Sequence, residues 1–275
     1  MRDSVNPNFL VFCDIDHTLL NEAGDIPEVN RQAIEAAKAQ GITIVLATAR
    51  SYPGAVEIYR ELELDGYMVV SNGTVITDAH GNYLRTQSIP PKTAREVFYL
   101  FRETPYHWVI RIDDLAHLHP DFHRHRHPFT DNRFYRPLDF VHLDETLGDF
   151  DNVVAISLYG DASMQQFYSQ YDWEEMGLKP SYYPPSHYDS RETMGIISAK
   201  ANKGEGAAWL QQHLGLQDAK VLALGDAPDD ISMFALGTGI APSSASGTAL
   251  QHADWIGPSS DEGVVAAAFE RFGVI

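Results

Sequence analysis

Short apolar runs alternate with amphipathic stretches over the first 70 residues of the chain. Three of the runs are apolar and partly β-branched, as buried strands are: residues 9–13, 42–47 and 67–70. The stretches between them, at about 28–40 and 55–62, have helical spacing, and Gly41 is placed to end the first helix. This alternation of strand and helix predicts a parallel sheet covered by helices.

The rhythm changes after residue 73 and returns near residue 203. The middle region predicts a hairpin, a helix and two strands, followed by a helical stretch: 75–84, about 91–102, 108–112, 153–158 and about 162–176. The final part predicts helices at 204–214 and from 263, with strands at 221–224 and 239–241. We therefore expect an α/β fold, with a Rossmann-like parallel-sheet core at 1–87 and 190–275 and an inserted α+β cap at 88–189.

Composition narrows the classes of partner. The chain has 275 residues and a net charge of -18, which argues against a nucleic-acid partner because such proteins carry a basic surface. Its single cysteine, Cys13, permits no intramolecular disulfide and fits a reducing cytosol. The amino terminus lacks a long apolar stretch, and no run reaches 18 apolar residues. We therefore expect a cytoplasmic protein that makes no contact with a membrane.

Polar motifs follow four of the predicted strands. They are Asp14-x-Asp16-x-Thr18, Thr48-x-Arg50, Ser71-Asn72-Gly73 and Gly225-Asp226-x-x-Asp229-Asp230. The carboxyl ends of parallel strands share one edge of the sheet, so we expect these motifs to converge there, joined by Lys203 at the start of a helix.

The side chains that would converge point to phosphoryl transfer. Clustered carboxylates with open positions suit Mg²⁺, and hydroxyls, a lysine and helix N–H groups suit a phosphate. Phosphate, metal and a carboxylate nucleophile together indicate a reaction through an aspartyl phosphate. Asp16 separates this pattern from a phospho-accepting receiver domain, which needs a lasting phosphoryl group and no placed acid or base.

This set of motifs, in this order, resembles the haloacid dehalogenase-like phosphatases over nearly the whole chain. Within them it looks like the Cof-type sugar-phosphate phosphatases of subfamily IIB, which carry a C2-type cap. The resemblance implies that Asp14 is the nucleophile and Asp16 the general acid and base, while Thr48 and Lys203 contact the phosphoryl group. It implies a magnesium site formed by Asp14, the backbone carbonyl of Asp16, Asp226, Asp230 and Asp229. It places Arg50 and Asn72 on the substrate side, with Thr18, which also fits a role in holding the Asp16 loop.

Two positions depart from the family pattern. His17 stands where the family usually has glycine, a residue that tolerates backbone conformations others resist. Asp229 stands where an asparagine is usual and adds negative charge beside the expected metal. Both departures bear on metal geometry and substrate more than on the class of reaction.

The histidines and arginines of the middle region leave alternatives open. The run His117, His119, His123, His125 and His127 fits a surface segment better than a set of substrate contacts or a zinc site, because its spacing matches no structural finger. Five arginines lie close together in the sequence: Arg111, Arg124, Arg126, Arg133 and Arg136. We expect them to pair with nearby acidic groups, or one or two of them to reach a second anionic group on the substrate. The aromatic residues Tyr182, Tyr183 and Tyr188 fit cap packing better than sugar stacking.

We expect a magnesium-dependent hydrolase of a small phosphomonoester, a sugar phosphate or a phosphorylated sugar acid, with a cap that closes over the site. A phosphomutase that uses the same intermediate is the first alternative, and a phospho-accepting or sugar-phosphate-binding regulatory protein is the second. The physiological substrate is left open, and so is the choice between monomer and dimer.

Overall fold

The computed structural model describes residues 9–112, 115–118, 140–142, 150–160, 164–183 and 191–275. It divides into two compact units. The first unit contains the described part of Met1–Ala49 with Ala55–Arg85 and Asn202–Ile275. The second unit contains Arg50–Gly54 and the described part of Thr86–Ala201.

The described strands in chain order are β1 (Phe9–Cys13), β2 (Thr43–Ala47), β3 (Tyr67–Val70), β4 (Val75–Asp78), β5 (Tyr83–Thr86), β6 (His107–Ile112), β7 (Leu115–Leu118), β8 (Phe140–His142), β9 (Val153–Gly160), β10 (Leu178–Tyr183), β11 (Glu192–Ser198), β12 (Lys220–Leu224), β13 (Thr238–Pro242) and β14 (Trp255–Gly257). The described helices are α1 (Glu28–Ala39), α2 (Tyr52–Glu61), α3 (Pro91–Arg102), α4 (Met164–Tyr168), α5 (Lys203–His213), α6 (Ile231–Phe234), α7 (Gly247–His252) and α8 (Val264–Phe272). None of these helices is both long and apolar enough to cross a bilayer, within the part of the chain that the structure describes.

The first unit is built on an eight-stranded sheet with the order β14-β13-β12-β1-β2-β3-β4-β5. Its first six strands are parallel, and only β4 turns back antiparallel to β3 among the pairs whose register is described. At the centre, Cys13 at the end of β1 is level with Leu224 on one side and Leu46 on the other. The predicted α/β fold with a mainly parallel sheet is confirmed, and the ends of β1, β2 and β12 meet at one edge.

Burial explains why these segments form strands and helices. The central strands are apolar along their whole length and are buried on both faces, as strands covered by helices are. Helix α1 turns Ala33, Ile34 and Ala37 inward at helical spacing. It ends as the sequence predicted, because Gly41 follows its C-cap with a φ of 73°.

The second unit is an α+β layer, as the sequence predicted. Its six-stranded sheet has the order β10-β11-β9-β6-β7-β8, with antiparallel pairs except between β7 and β8. Its core joins one face of α3 to alternate residues of the central strands: Ala94, Val97, Phe101, Trp108, Ile110, Ile156, Leu158, Met194 and Ile196. This unit therefore has a hydrophobic core of its own.

One prediction for this region was wrong, and strand β11 was missed. The helix expected over about 162–176 is described only over Met164–Tyr168, because Asp172 accepts the N–H of Glu175 and Gly177 takes a φ of 71° to open the turn into β10. Strand β11 was not predicted. Alternate residues of this strand are buried, but two of the buried positions hold the polar residues Glu192 and Ser198, so the sequence does not alternate between apolar and polar residues. Because β11 belongs to the second unit, we propose that the inserted domain continues to Ala201.

Candidate active site

Strand β1 delivers Asp14 to the edge of the sheet. The Asp14 N–H donates to the Leu224 carbonyl at 2.9 Å, which continues the pairing of β1 with β12. The chain then makes a π-helical turn over Ile15–Leu19, in which the Asp14 carbonyl accepts the Leu19 N–H at 3.3 Å. Asp14 is buried and Asp16 is half-buried in this turn. His17 takes a φ of 56°, the left-handed conformation that favours glycine.

Lys203 is the first residue of α5 and the centre of an ion-pair cluster. Its Nζ lies 2.7 Å from Asp14 Oδ1, 2.6 Å from Asp230 Oδ1 and 3.1 Å from Asp229 Oδ2. The ammonium donates hydrogen bonds to Asp14 and Asp230 and forms an ion pair with Asp229. Because the Lys203 side chain is only 2% exposed and those of Asp14 and Asp230 are 6% and 0% exposed, the ion pairs with these two carboxylates are shielded from water.

Asp230 uses both carboxylate oxygens within the site. Oδ1 accepts from Lys203, and Oδ2 accepts the N–H groups of Asp226 and Ala227 at 3.0 Å each. The loop packs so tightly that a Cβ on Gly225 would lie 2.3 Å from the Asp230 Cβ. Asp230 therefore fixes both Lys203 and the loop that carries Asp226.

Three carboxylates come together where the sequence predicted a metal. One oxygen each of Asp14, Asp226 and Asp230 lies within 4.8 Å of the others, and among the described residues the carboxylates of Asp16 and Asp229 stand outside this group. The buried hydroxyl of Thr18 donates to Asp226 Oδ1 at 3.4 Å. Thr18 thus links the turn after β1 to Asp226.

The electrostatics of the cluster suit a divalent cation. The cluster contains four carboxylates, of Asp14, Asp226, Asp229 and Asp230, and the Lys203 ammonium, and its formal charge is −3 when all five groups are ionised. Burial raises the pKa of Asp14 well above its usual range, although Lys203 opposes the shift. Burial and the Asp230 charge raise the pKa of Asp226 to about 7.

Lys203 stays charged in this setting, since the carboxylates of Asp14, Asp230 and Asp229 outweigh the effect of burial and raise its pKa. Oxygen ligands with surplus negative charge are what a hard cation such as Mg²⁺ requires, so the residues fit one.

Thr48 and Asn72 lie together at the ends of β2 and β3. The Asn72 N–H donates to the Thr48 carbonyl at 3.0 Å, and Thr48 is buried. Ser71, Asn72 and Gly73 all have positive φ values, of 51°, 57° and 81°. The Asn72 Oδ1 atom is buried without a hydrogen-bond partner within the described part of the chain, so it can accept from a ligand.

The remaining predicted substrate and cap residues lie in the second unit or outside the described residues. Arg50 is buried and donates to the Gly54 carbonyl at 3.2 Å. Arg111 is buried on β6. The ring centroids of Tyr182 and Tyr168 lie 6.5 Å apart, and a hydrogen bond to Glu192 raises the pKa of Tyr182. The other residues singled out in this region fall outside the described side chains: His117, His119, His123, His125, His127, Arg124, Arg126, Arg133, Arg136, Tyr183 and Tyr188.

Two residues of the site were missed by the sequence analysis. The Gly204 N–H donates to Ser232 Oγ at 3.0 Å, and this hydroxyl donates to the Asp229 carbonyl at 3.1 Å. A glycine directly after Lys203 at a helix start was a signal of close packing. Nothing in the sequence marks Ser232.

Curated relatives match nearly the whole chain. The "Endoribonuclease YBEY, chloroplastic" of Arabidopsis thaliana is 28% identical over 95% of this chain, but the chain spans only 46% of that protein's length. The "Putative phosphatase YxeH" of Bacillus subtilis (strain 168) is 27% identical over 95% of this chain and 97% of its own length. The match to the second relative therefore covers nearly all of both chains.

The fold and the family agree with these matches. A haloacid dehalogenase-like hydrolase from Bacteroides thetaiotaomicron has a TM-score of 0.78 at 22% identity, covering 96% of this chain and 99% of that one, which shows a shared fold. The family model for haloacid dehalogenase-like hydrolases matches residues 11–269. As its strand-end motifs predicted, the chain belongs to the haloacid dehalogenase-like hydrolase family and is an enzyme of that class.

Proposed function

We propose that this hydrolase is a magnesium-dependent phosphatase that acts on a small phosphomonoester through a phosphoaspartyl intermediate on Asp14. The observation that carries the proposal is the position of the Lys203 ammonium, 2.7 Å from Asp14 and 2.6 Å from Asp230, beside Asp226. A buried cation against a carboxylate at a strand end is suited to hold a nucleophile while negative charge approaches it.

In the first displacement, one Asp14 carboxylate oxygen attacks phosphorus and the bond to the leaving alcohol oxygen breaks. Asp16, two residues further in the half-buried turn, gives its proton to that oxygen. Thr48 holds the phosphoryl oxygens, and the Asn72 side-chain oxygen, which has no hydrogen-bond partner within the described part of the chain, accepts from a hydroxyl group of the substrate. The products of this step are the free alcohol and phospho-Asp14.

In the second displacement, the Asp16 carboxylate takes a proton from water, and the water oxygen attacks phosphorus. The bond between phosphorus and the Asp14 oxygen breaks, which releases inorganic phosphate and restores both carboxyl groups. Lys203 offsets the negative charge on Asp14 and the phosphoryl group throughout.

Asp14, Asp226 and the Asp16 carbonyl would hold the Mg²⁺ ion, with Asp230 and Asp229 around it. When bound, Mg²⁺ supplies the positive charge that keeps these carboxylates ionised and withdraws charge from the phosphoryl oxygens. The formal charge of −3 in the cluster supports this assignment. Thr18 orients Asp226 by the hydrogen bond of its hydroxyl.

We propose that the substrate is a sugar phosphate or a phosphorylated sugar acid. The Bacillus subtilis relative that is matched over 97% of its length is named a putative phosphatase, which supports the reaction class. A ribonuclease activity is not proposed, because the relative so named is more than twice as long as the match and the net charge of this chain is -18. The single, buried Cys13 fits the cytoplasmic location that we retain as part of the proposal.

The test is phosphate release from a panel of phosphorylated metabolites, with Mg²⁺ and with a chelator. We expect activity that depends on Mg²⁺ and is lost in Asp14→Asn, while the exposed control Asp65→Asn, with the same charge change, keeps full activity. Isomerised sugar phosphate without free phosphate would identify a mutase instead. Undiminished phosphate release by a folded Asp14→Asn variant would refute the assigned nucleophile.

A further inference from the structure

We infer that Ser232 is a positioning residue: its hydroxyl ties the start of α5 to the Asp229–Asp230 segment and so fixes Lys203 against Asp14. The inference rests on the proposed function, since it concerns the group that offsets the charge of the proposed nucleophile. Ser232 touches neither the metal ligands' carboxylates nor the phosphoryl group in the proposed reaction, and it acts through Lys203.

The Ser232 hydroxyl has one local and one distant contact. It donates to the Asp229 carbonyl three residues earlier at 3.1 Å, a contact that serines in the first turn of a helix often make. It also accepts the N–H of Gly204, 28 positions away in the chain, at 3.0 Å. The second contact is not part of any local helix pattern and links two separate elements.

The two elements approach more closely than a side chain would allow. A Cβ on Gly204 would lie 2.2 Å from the Ser232 carbonyl oxygen and 2.8 Å from the Ser232 Cβ. The glycine therefore permits the two backbones to touch. The hydrogen bond to the Ser232 hydroxyl fixes the position of one backbone along the other. The first turn of α5 leaves N–H groups without helical partners, and Ser232 accepts one of them.

A neighbouring cap serves the same helix without reaching the acidic segment. Asn202 accepts the Glu205 N–H at 2.8 Å through its side chain, a local N-cap. Ser232 differs because its other contact holds Asp229, whose carboxylate lies 3.1 Å from Lys203. The hydroxyl thus fixes both the backbone that carries the ammonium and the backbone that carries two of its three ion-pair partners.

This arrangement matters because a lysine side chain has many rotamers of similar energy. Its ammonium is held in one place only when the helix start and the carboxylates keep their relative positions. A small displacement of such a group lowers the rate of the chemical step more than it weakens substrate binding. The expected signature of losing the Ser232 hydroxyl is therefore a fall in kcat with little change in KM.

The experiment compares Ser232→Ala, Ser232→Cys and Ser232→Thr with Asn202→Ala, using the best substrate of the phosphate-release panel. We expect Ser232→Ala to lower kcat about tenfold or more, with KM within about threefold. Ser232→Cys should do the same, because the thiol has a similar size but forms only weak hydrogen bonds. Ser232→Thr keeps the hydroxyl and should restore most of kcat. Asn202→Ala loses a cap of the same helix and should lower kcat less than Ser232→Ala does.

A second measurement needs no turnover. The chain has six lysines, so the ¹⁵N signals of the side-chain ammonium groups are few, and the Lys203 signal is the one missing in Lys203→Met. We expect the Lys203 ammonium signal to shift and broaden in Ser232→Ala and to return in Ser232→Thr. An unchanged signal in Ser232→Ala, or a kcat loss no greater than that of Asn202→Ala, would overturn the inference. If the wild-type protein released no phosphate, the proposed function would fail, while the ammonium signal would still decide whether Ser232 positions Lys203.

Discussion

The Lys203 ammonium lies 2.7 Å from Asp14 Oδ1, although 189 positions separate the two residues in the chain. One is at the end of the central strand and the other begins a helix that follows the inserted domain. Their contact gathers the rest of the acidic cluster, because Asp229 and Asp230 reach the same ammonium. Lys203 thus pairs both with the proposed nucleophile and with the acidic loop after β12.

Replacing Lys203 by methionine should leave buried carboxylates without their cation. Breaking a buried ion pair by removing one partner costs about 3–5 kcal/mol. We expect a loss of this size in the free energy of unfolding at pH 8 without metal, measured by urea denaturation, and loss of phosphate release. The loss should be smaller at pH 5, where the carboxylates take up protons. The exposed Lys200→Met is the matched control and should change neither quantity, and equal stability of the two variants would contradict the central role of Lys203.

The raised pKa of Asp226 predicts how Mg²⁺ and protons compete. Since folding raises this pKa from 3.8 to about 7, the carboxyl group favours the folded state below pH 4, and this contribution is lost as the pH rises through 7. Without metal, the melting temperature of the wild type relative to Asp226→Asn should therefore fall between pH 4 and 7.

Mg²⁺ should restore the stability that the folded protein loses when Asp226 is deprotonated, because the ion binds the ionised carboxylates. We expect the rise in melting temperature on adding Mg²⁺ to be larger at pH 8 than at pH 5, and to be small in Asp226→Asn at both. A rise in melting temperature of the same size at pH 5 and pH 8 would show that Mg²⁺ does not bind to these carboxylates.

The Thr18 hydroxyl can be tested against a second buried threonine. Both Thr18 and Thr77 are fully buried, but Thr18 donates to Asp226, whereas the Thr77 hydroxyl has no hydrogen-bond partner within the described part of the chain. Thr18→Val should weaken Mg²⁺ binding about tenfold or more, as loss of a group that orients a metal ligand does. Thr77→Val should leave Mg²⁺ binding unchanged and be neutral or stabilising. Calorimetric titration of Mg²⁺ measures the difference, and equal affinities would argue against a role for Thr18 in orienting Asp226.

Two glycines with similar backbone angles separate conformational strain from close packing. Gly73 and Gly215 have φ values of 81° and 69°, but a Cβ on Gly73 would lie 2.0 Å from the Asn202 carbonyl oxygen, and a Cβ on Gly215 would meet nothing within 4 Å. Gly215→Ala should cost about 1–2 kcal/mol of stability, the strain of the left-handed conformation.

Gly73→Ala should cost more than Gly215→Ala, because it must also push away the residue before Lys203. Its kcat should fall as well, since the start of α5 moves with Asn202. Thermal melts and phosphate release measure both effects. Similar losses in the two variants would show that the contact between Gly73 and Asn202 is not tight.

The strand-end motifs were predictable because parallel strands carry their carboxyl ends to one edge. Apolar runs such as 9–13 and 221–224 marked the strands, and the polar residues that follow them marked the site. The partners of individual side chains were not predictable in the same way. That Thr18 meets Asp226 and that Lys203 meets three carboxylates depends on how loops from distant parts of the chain pack, and no local pattern encodes it.

The errors in the second unit have a related cause. Residues 169–177 contain amphipathic spacing that a helix could use, but Asp172 and Gly177 stabilise turns instead. Strand β11 buries Glu192, which accepts the Gln165 N–H at 3.2 Å, so a polar residue occupies a position where the pattern calls for an apolar one. Tertiary contacts overrode the sequence pattern in both places.

Cys13 gives the protein a built-in reporter of its own opening. The thiol is 1% exposed at the end of β1, donates to the Asp14 carbonyl at 3.2 Å, and lies between two paired strands. Since the chain has no other cysteine, a thiol reagent can react only when the strand that carries Asp14 separates from its neighbours. The labelling rate of the native protein therefore reports how readily the edge that carries Asp14 opens, and a ligand that stabilises the closed edge should slow labelling.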